Sequence, residues 1–318
     1  MTRPVPTDVR KIAVVGTGLI GASWTAYFLS RGLEVAATDP APDARDRLAA
    51  FIARVWPTLD KLGLAANADP DRWTFAEDVE SAVGDAEFVQ ENAPEREEVK
   101  RQIFARIDAA AASDVVIASS ASGMLMTPLQ VGLNHPERCI LAHPFNPPHL
   151  VPLVELSGGE QTDSTALDWS MAFYEALGKV PVRLAREMPG HIASRMQGAM
   201  WREAVYLVEQ GIASVEDIDK ALAYGPGLRM AAFGPHMTFH LAGGSGGLQH
   251  FIDHIGESQV RRWKTLGHPA LTPELGEKLV AGVAAESKGR SIADLEAERD
   301  ACLIAVIKAL RSARAPAR

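Results

Sequence analysis

The spacing of three glycines near the start constrains this chain more than any other feature. Gly16-Thr17-Gly18-Leu19-Ile20-Gly21 follows directly on the β-branched run Lys11–Val15 and leads into an apolar, helix-forming stretch that reaches Leu29. A second short apolar run, Leu33–Thr38, ends at Asp39-Pro40. Strand, glycine turn, helix and strand in this order make a βαβ unit. In this spacing the glycines serve a tight turn, close backbone approach to a pyrophosphate, and close packing of helix on strand. The helix N-terminus adds unpaired N–H groups and a positive dipole end for phosphate. Gly16, Gly18, Leu19, Ile20 and Gly21 are therefore the predicted phosphate-binding turn. Asp39 is placed to accept the ribose hydroxyls, and its charge disfavours a 2′-phosphate. The cofactor predicted is NAD.

Further apolar runs continue the same sheet: Ala86–Gln90, Asp114–Ser119, Cys139–Ala142 and Val151–Leu156, with Val180–Leu184 as an edge. Helical segments such as Ala41–Val55 and Glu95–Ala112 lie between them. This alternation predicts an α/β chain with an N-terminal doubly wound parallel sheet of the Rossmann type. After about Glu187 the pattern changes. Ile192–Gly211 is one amphipathic stretch, helix starts follow at Ser214, Thr272 and Ser291, and no strand-like run appears. The expected division is an NAD-binding domain over residues 1–187 and an all-helical domain for substrate and dimerisation over 188–318. The Ala- and Arg-rich tail from Arg311 is expected to fray.

A net charge of −8 argues against a nucleic-acid partner, which needs a basic footprint. No apolar run approaches the ~20 residues of a membrane span, and the N-terminus lacks the apolar core of a secretory signal. The two cysteines, Cys139 and Cys302, have no metal-type spacing and suit a reducing compartment. A soluble cytoplasmic protein is expected. His236 and His240 stand four apart, but no third ligand accompanies them, so no metal is predicted.

His143 follows a predicted strand, and in a parallel α/β sheet ligands bind at the carboxyl ends of strands. Glu155, twelve residues on, is expected at the end of the next strand. Brought together, they form a general-base pair: the histidine takes a hydroxyl proton, and the glutamate fixes its tautomer and stabilises the imidazolium. Taken alone, a histidine there is more often a structural hydrogen-bonder than a catalyst.

The glycine motif, NAPEREEVK, ASSASG, HPFNPPHLVPLVE and PGHIASR occur in an order and spacing that resembles the short-chain L-3-hydroxyacyl-CoA dehydrogenase superfamily, over nearly the whole chain. Gln90-Glu91, WPTLDKLGL, LAGG and SIADLEAERDACL are similar to its non-CoA branch, the carnitine- and gulonate-type 3-dehydrogenases. The resemblance implies NAD-dependent oxidation of a small free 3-hydroxy acid, with His143 as base and Glu155 as its partner. It implies that Ser122 hydrogen-bonds the substrate 3-oxygen and that Glu95 and Lys100 lie near the cofactor. By residue type alone, Ser122 reads as a turn serine, and Glu95 and Lys100 as a solvated helix start. Ser194 stands where the acyl-CoA enzymes carry an asparagine of the catalytic network, which weakens the thioester reading. Arg229, in Gly225-Pro226-Gly227-Leu228-Arg229, is open to two readings: a clamp on a free substrate carboxylate, or a surface ion pair. Trp201 and Phe233, with Tyr224, Phe239 and Trp263, are candidates for a box around a quaternary ammonium, or else helical core. The resemblance implies a homodimer through the helical domain. Carnitine is the leading substrate; L-gulonate, a 3-hydroxyacyl-CoA and a non-catalytic NAD-binding role are the alternatives.

Overall fold

A computed structural model describes residues 3–314. Among these residues, eight strands form one sheet in the order β3-β2-β1-β4-β5-β6-β7-β8. The strands are β1 (Lys11–Val15), β2 (Glu34–Thr38), β3 (Trp73–Phe75), β4 (Phe88–Glu91), β5 (Val116–Ser119), β6 (Cys139–Pro144), β7 (Leu153–Gly158) and β8 (Val180–Arg183). Helices α1 (Leu19–Ser30), α2 (Ala44–Leu62), α3 (Val79–Val83), α4 (Glu97–Ala110), α5 (Met126–Leu129) and α6 (Ser164–Ala176) connect them.

Strand β1 shows why the sheet is covered on both faces. Successive side chains point to opposite sides of a strand. Ile12 and Val14 enter one apolar cluster with Trp24, Phe28, Val35 and Phe173, whereas Ala13 and Val15 enter another with Val89, Phe104, Ile117 and Leu141. A strand buried on both faces has no polar position, and this explains the unbroken apolar run. Helix α1 is buried from Gly21 to Ser30, so its residues are apolar or small all round.

The expected parallel sheet holds from β3 through β6. Strand β7, however, runs antiparallel to β6, and β8 is parallel to β7. Glu155 therefore sits within a strand, paired in register with His143, instead of at a neighbouring strand end. Two further differences concern extent. Strand β3 has no counterpart among the expected strands, and α2 continues past Val55 to Leu62 with Pro57 inside it.

The chain divides into two compact units. One runs to Ser194 and takes in Asp300–Lys308; the other runs from Arg195 to Arg299 and resumes at Ala309. The second holds most of α7 (Ala193–Glu209), then α8 (Val215–Leu222), α9 (Leu228–Ala232), α10 (Pro235–Ala242), α11 (Gly247–Trp263) and α12 (Pro273–Ser287), with parts of α13 (Ile292–Arg314). The predicted caps are formed: Ser214 Oγ accepts from the Asp217 N–H at 3.1 Å, Thr272 Oγ1 from Leu275 at 3.3 Å and Ser291 Oγ from Asp294 at 3.1 Å. Helix α13 remains regular to Arg314, so fraying does not begin at Arg311; the rest of that tail lies outside the described residues. Among the described residues no helix is long and apolar enough to cross a membrane.

Candidate active site

The glycine turn sits at the carboxyl end of β1, where the strand order reverses between β1 and β4. Gly16 has φ +87°, and a Cβ there would lie 2.8 Å from the Asn92 carbonyl oxygen. A Cβ on Gly21 would lie 1.8 Å from the Gly16 carbonyl oxygen, so α1 packs against the turn itself. A Cβ on Gly18, which precedes the first residue of α1, would meet nothing within 4 Å. That open backbone is the cradle a pyrophosphate needs. Leu19 opens α1 with its side chain exposed, and Ile20 packs on the core.

Asp39, at the end of β2, accepts from the Thr17 N–H at 2.8 Å and from the Ala41 N–H at 3.0 Å. It lines a cavity of about 490 Å³ together with Gly16, Gly18, Asn92, Ala93 and Val99. Arg106, the cation in that wall, is held by both carboxylate oxygens of Glu80, at 2.8 and 2.5 Å. A carboxylate at the ribose position and a neutralised arginine fit the diphosphate and unphosphorylated ribose of NAD.

Lys100 departs from the solvated helix start that residue type suggests. It is buried, and its ammonium lies 2.8 and 3.0 Å from the two oxygens of Glu91. Glu91 also accepts from the Ala93 N–H at 2.6 Å and from the Ser119 hydroxyl. The Lys100 charge is thus spent inside the wall behind Ala93. Glu95 accepts instead from the N–H groups of Ser122 and Gly123, at 2.9 and 2.6 Å, and so fixes the loop that follows β5.

The histidine site lies on the antiparallel pair β6 and β7. His143 Nδ1 donates to Glu155 Oε2 at 3.1 Å, and both residues are buried. Glu155 Oε1 accepts the N–H groups of Ile192 and Ala193, at 2.7 and 2.9 Å, at the start of α7. Burial pushes the Glu155 carboxyl up, but hydrogen bonds from His143, Ala193 and Ile192 outweigh it and hold the group below the usual carboxylate range. An ionised Glu155 keeps the proton on Nδ1 and leaves the Nε2 lone pair free to accept one. Ser194 follows this N–H pair directly, half-buried. His191, which the sequence does not single out, stacks on His143 with ring centroids 4.6 Å apart. It lies inside the PGHIASR segment, but nothing in that segment assigns it a role.

The residues named for substrate lie in the helical unit. Arg229 is exposed on α9, and its side chain makes no ion pair among the described residues. Trp201 and Phe233 are 57% and 52% exposed, so neither is helical core. Phe239 and Trp263 line an apolar cavity of about 800 Å³ with Phe251 and Ile252. His240 Nδ1 accepts from the Leu248 N–H at 3.1 Å, and His236 lines the same cavity.

The sequence matches the 3-hydroxyacyl-CoA dehydrogenase NAD-binding domain over residues 11–188 and the C-terminal domain of the same family over residues 190–286. The chain belongs to the 3-hydroxyacyl-CoA dehydrogenase family. As its NAD-binding domain and fold require, it is an NAD-dependent oxidoreductase. It is 51% identical to an L-carnitine dehydrogenase of Streptomyces coelicolor over 304 residues, covering 96% of each protein. An L-carnitine dehydrogenase of Pseudomonas aeruginosa is 45% identical over 309 residues, 97% of this chain and 96% of that one. Among solved structures, an NAD-dependent dismutase, 5-formyl-3-hydroxy-2-methylpyridine 4-carboxylic acid 5-dehydrogenase, superposes with a TM-score of 0.82 at 29% identity, covering 95% of this chain and 99% of that one. The (S)-3-hydroxybutyryl-CoA dehydrogenase of Ralstonia eutropha gives 0.65 at 26% identity, covering 86% and 95%.

Proposed function

We propose that this family member oxidises the 3-hydroxyl of L-carnitine to the 3-oxo acid, with His143 as general base. The observation that carries the substrate is the run of relatives named L-carnitine dehydrogenase, at 43–51% identity over nearly the full length of both chains. What supports the chemistry is the His143–Glu155 pair. NAD, when bound, would supply the acceptor for the C3 hydride.

The protein's own part is proton handling and orientation. His143 Nε2 takes the hydroxyl proton, and Glu155 stabilises the resulting imidazolium through the bond it already makes to Nδ1. Ser122, on the loop fixed by Glu95, is assigned the substrate 3-oxygen, and Ser194 the same hydrogen-bond network. Arg229, which makes no ion pair among the described residues, is assigned the carboxylate of carnitine. Trp201 and Phe233 are assigned its trimethylammonium group, which aromatic faces attract. Gly16, Gly18 and Gly21 with Asp39 hold the dinucleotide. Lys100 supports the Ala93 wall of that cavity through Glu91, and Glu95 holds the loop that carries Ser122.

The same reading includes a homodimer through the helical unit. Leu222, Leu228, Leu241, Ile252 and Val280 are all exposed there, apolar surface that a second copy could cover. Sedimentation velocity tests this, a monomer at micromolar concentration being the adverse outcome. With Cys139 and Cys302 both free thiols, the cytoplasm is the assigned compartment.

NADH formation with L-carnitine, L-gulonate and 3-hydroxybutyryl-CoA, measured side by side, tests the substrate. Turnover highest with L-carnitine is the expected result, and preference for either rival replaces it. His143→Ala tests the base: kcat should fall by ~10²–10⁴ while NAD still binds.

A further inference from the structure

His191 carries two costs at once. It is 1% exposed with neither ring nitrogen hydrogen-bonded, and its backbone sits in the left-handed region at φ 49°. Buried polar groups are normally paired, and non-glycine residues normally avoid that region. Such costs persist where the surroundings fix the residue for a purpose, most often at a functional site.

One purpose would be metal binding. Donor atoms of His143, Glu155 and His191 lie within 4.8 Å of one another. The ring geometry opposes it. The two imidazoles are stacked with only 14° between their planes. Their in-plane lone pairs therefore run side by side and do not converge on one point at the ~2.0–2.1 Å a metal requires. The carboxylate is also occupied already by His143, Ile192 and Ala193.

The stack has another consequence. A single hydrogen bond from Nδ1 to Glu155 resists, but does not block, the swing of the His143 ring about its Cβ–Cγ bond, which would carry Nδ1 off the carboxylate and turn Nε2 away. A flat group pressed on one face removes the swing. We propose that His191 is a positioning residue, a ring wall that fixes the plane of His143 so that Nε2 faces the substrate hydroxyl while Nδ1 stays on Glu155. This rests on His143 being the base.

A neutral wall suits the reaction, because His143 becomes cationic in turnover and an aromatic face tolerates that charge. Burial, and then the charge on His143, push His191 below its ordinary range.

Three variants test the wall. His191→Asn and His191→Gly remove the ring with residues that accept a left-handed backbone, and His191→Phe keeps a flat ring without nitrogens. Both ring deletions should lower kcat about 10- to 100-fold, as small misplacements of a reacting group do, with KM for NAD unchanged. His191→Phe should restore kcat. In ¹⁵N spectra, His143 should show a single Nδ1–H tautomer in the wild type and His191→Phe, and mixed tautomers in His191→Asn and His191→Gly. Ring deletions with wild-type kcat and tautomer would overturn the proposal, as would a folded His191→Phe as slow as they are. Zn²⁺ inhibition of the wild type that vanishes in His191→Phe would assign the cluster to metal instead. If the wild type forms no NADH from L-carnitine, the substrate reading fails, yet the tautomer measurement still decides the role of His191.

Discussion

Glu155 stands opposite His143 across the antiparallel pair β6–β7, and its two oxygens do separate work. Oε2 receives the imidazole Nδ1 at 3.1 Å, while Oε1 receives the Ile192 and Ala193 N–H groups that begin α7. One carboxylate thereby sets both the tautomer of His143 and the start of a helix.

Glu155→Gln separates these duties. The amide oxygen still accepts from α7, so thermal stability should stay close to that of the wild type. The amide nitrogen can only donate, so Nδ1 must accept, and the proton moves to Nε2 where the lone pair is needed. Turnover should fall by ~10²–10⁴ with NAD affinity retained, the penalty for presenting the wrong tautomer. Steady-state kinetics and NAD titration by fluorescence check this; turnover within a few-fold of wild type would mean Glu155 does not set the tautomer.

The two buried partners of His143 also give the fold a pH dependence of known sign. His191 titrates below its ordinary 6.5, chiefly through burial, and Glu155 titrates below 4.5, because hydrogen bonds override its burial. In both cases the unfolded chain binds more protons than the native one, so stability rises with pH across the window. The contribution from His191 is intact above pH 6.5 and is lost as pH falls beneath it; that from Glu155 is lost only below 4.5. The urea midpoint should therefore drop between pH 7.5 and pH 5.5, and the drop should shrink in His191→Phe. Equal drops in both proteins would assign the titration to another group.

Lys100 and Glu91 form a fully buried ion pair, and such pairs are fragile in a particular way. Removing one partner leaves a charge in a medium that cannot solvate it, at a cost of roughly 3–5 kcal/mol, whereas replacing both with apolar side chains is often neutral. Lys100→Met should be severely destabilised in chemical denaturation, and Lys100→Met with Glu91→Leu should recover most of the loss. A single variant as stable as the wild type would mean that water reaches Glu91.

Much of this site is legible in the chain, and the parts that are not have physical reasons. The glycine spacing, Asp39 and the strand ends follow from local sequence, because a βαβ unit is built from neighbours. The polarity of β7 is not written in its residues, yet the connection is informative. Residues 145–152 are too few for the crossover of a dozen or more that a parallel partner needs, so β7 has to return antiparallel. Lys100 has a signal too, since it shares the buried face of α4 with Phe104, Ile107 and Asp108 at helical spacing. His191 lies within PGHIASR, yet that segment does not say which of its side chains meets His143. Its place there arises from packing between segments far apart in sequence. Strand β3 has only three residues, shorter than any periodicity can reveal.

The glycine turn offers the sharpest separation of folding from binding. A Cβ at Gly21 would meet the Gly16 carbonyl oxygen at 1.8 Å, so Gly21→Ala must push α1 away from β1 and should lower both the melting temperature and NAD affinity. A Cβ at Gly18 would meet no protein atom within 4 Å, and its φ of −60° suits any residue. Gly18→Ala should melt with the wild type, because nothing in the fold is displaced. Its methyl group projects into the space reserved for the pyrophosphate. NAD should therefore bind at least about tenfold more weakly, a loss of ~1.4 kcal/mol. Thermal melts and NAD titrations on the two variants check the contrast. Wild-type NAD affinity in Gly18→Ala would mean the diphosphate does not pass over this turn, and the cofactor assignment of Gly16, Gly18 and Gly21 would have to be redrawn.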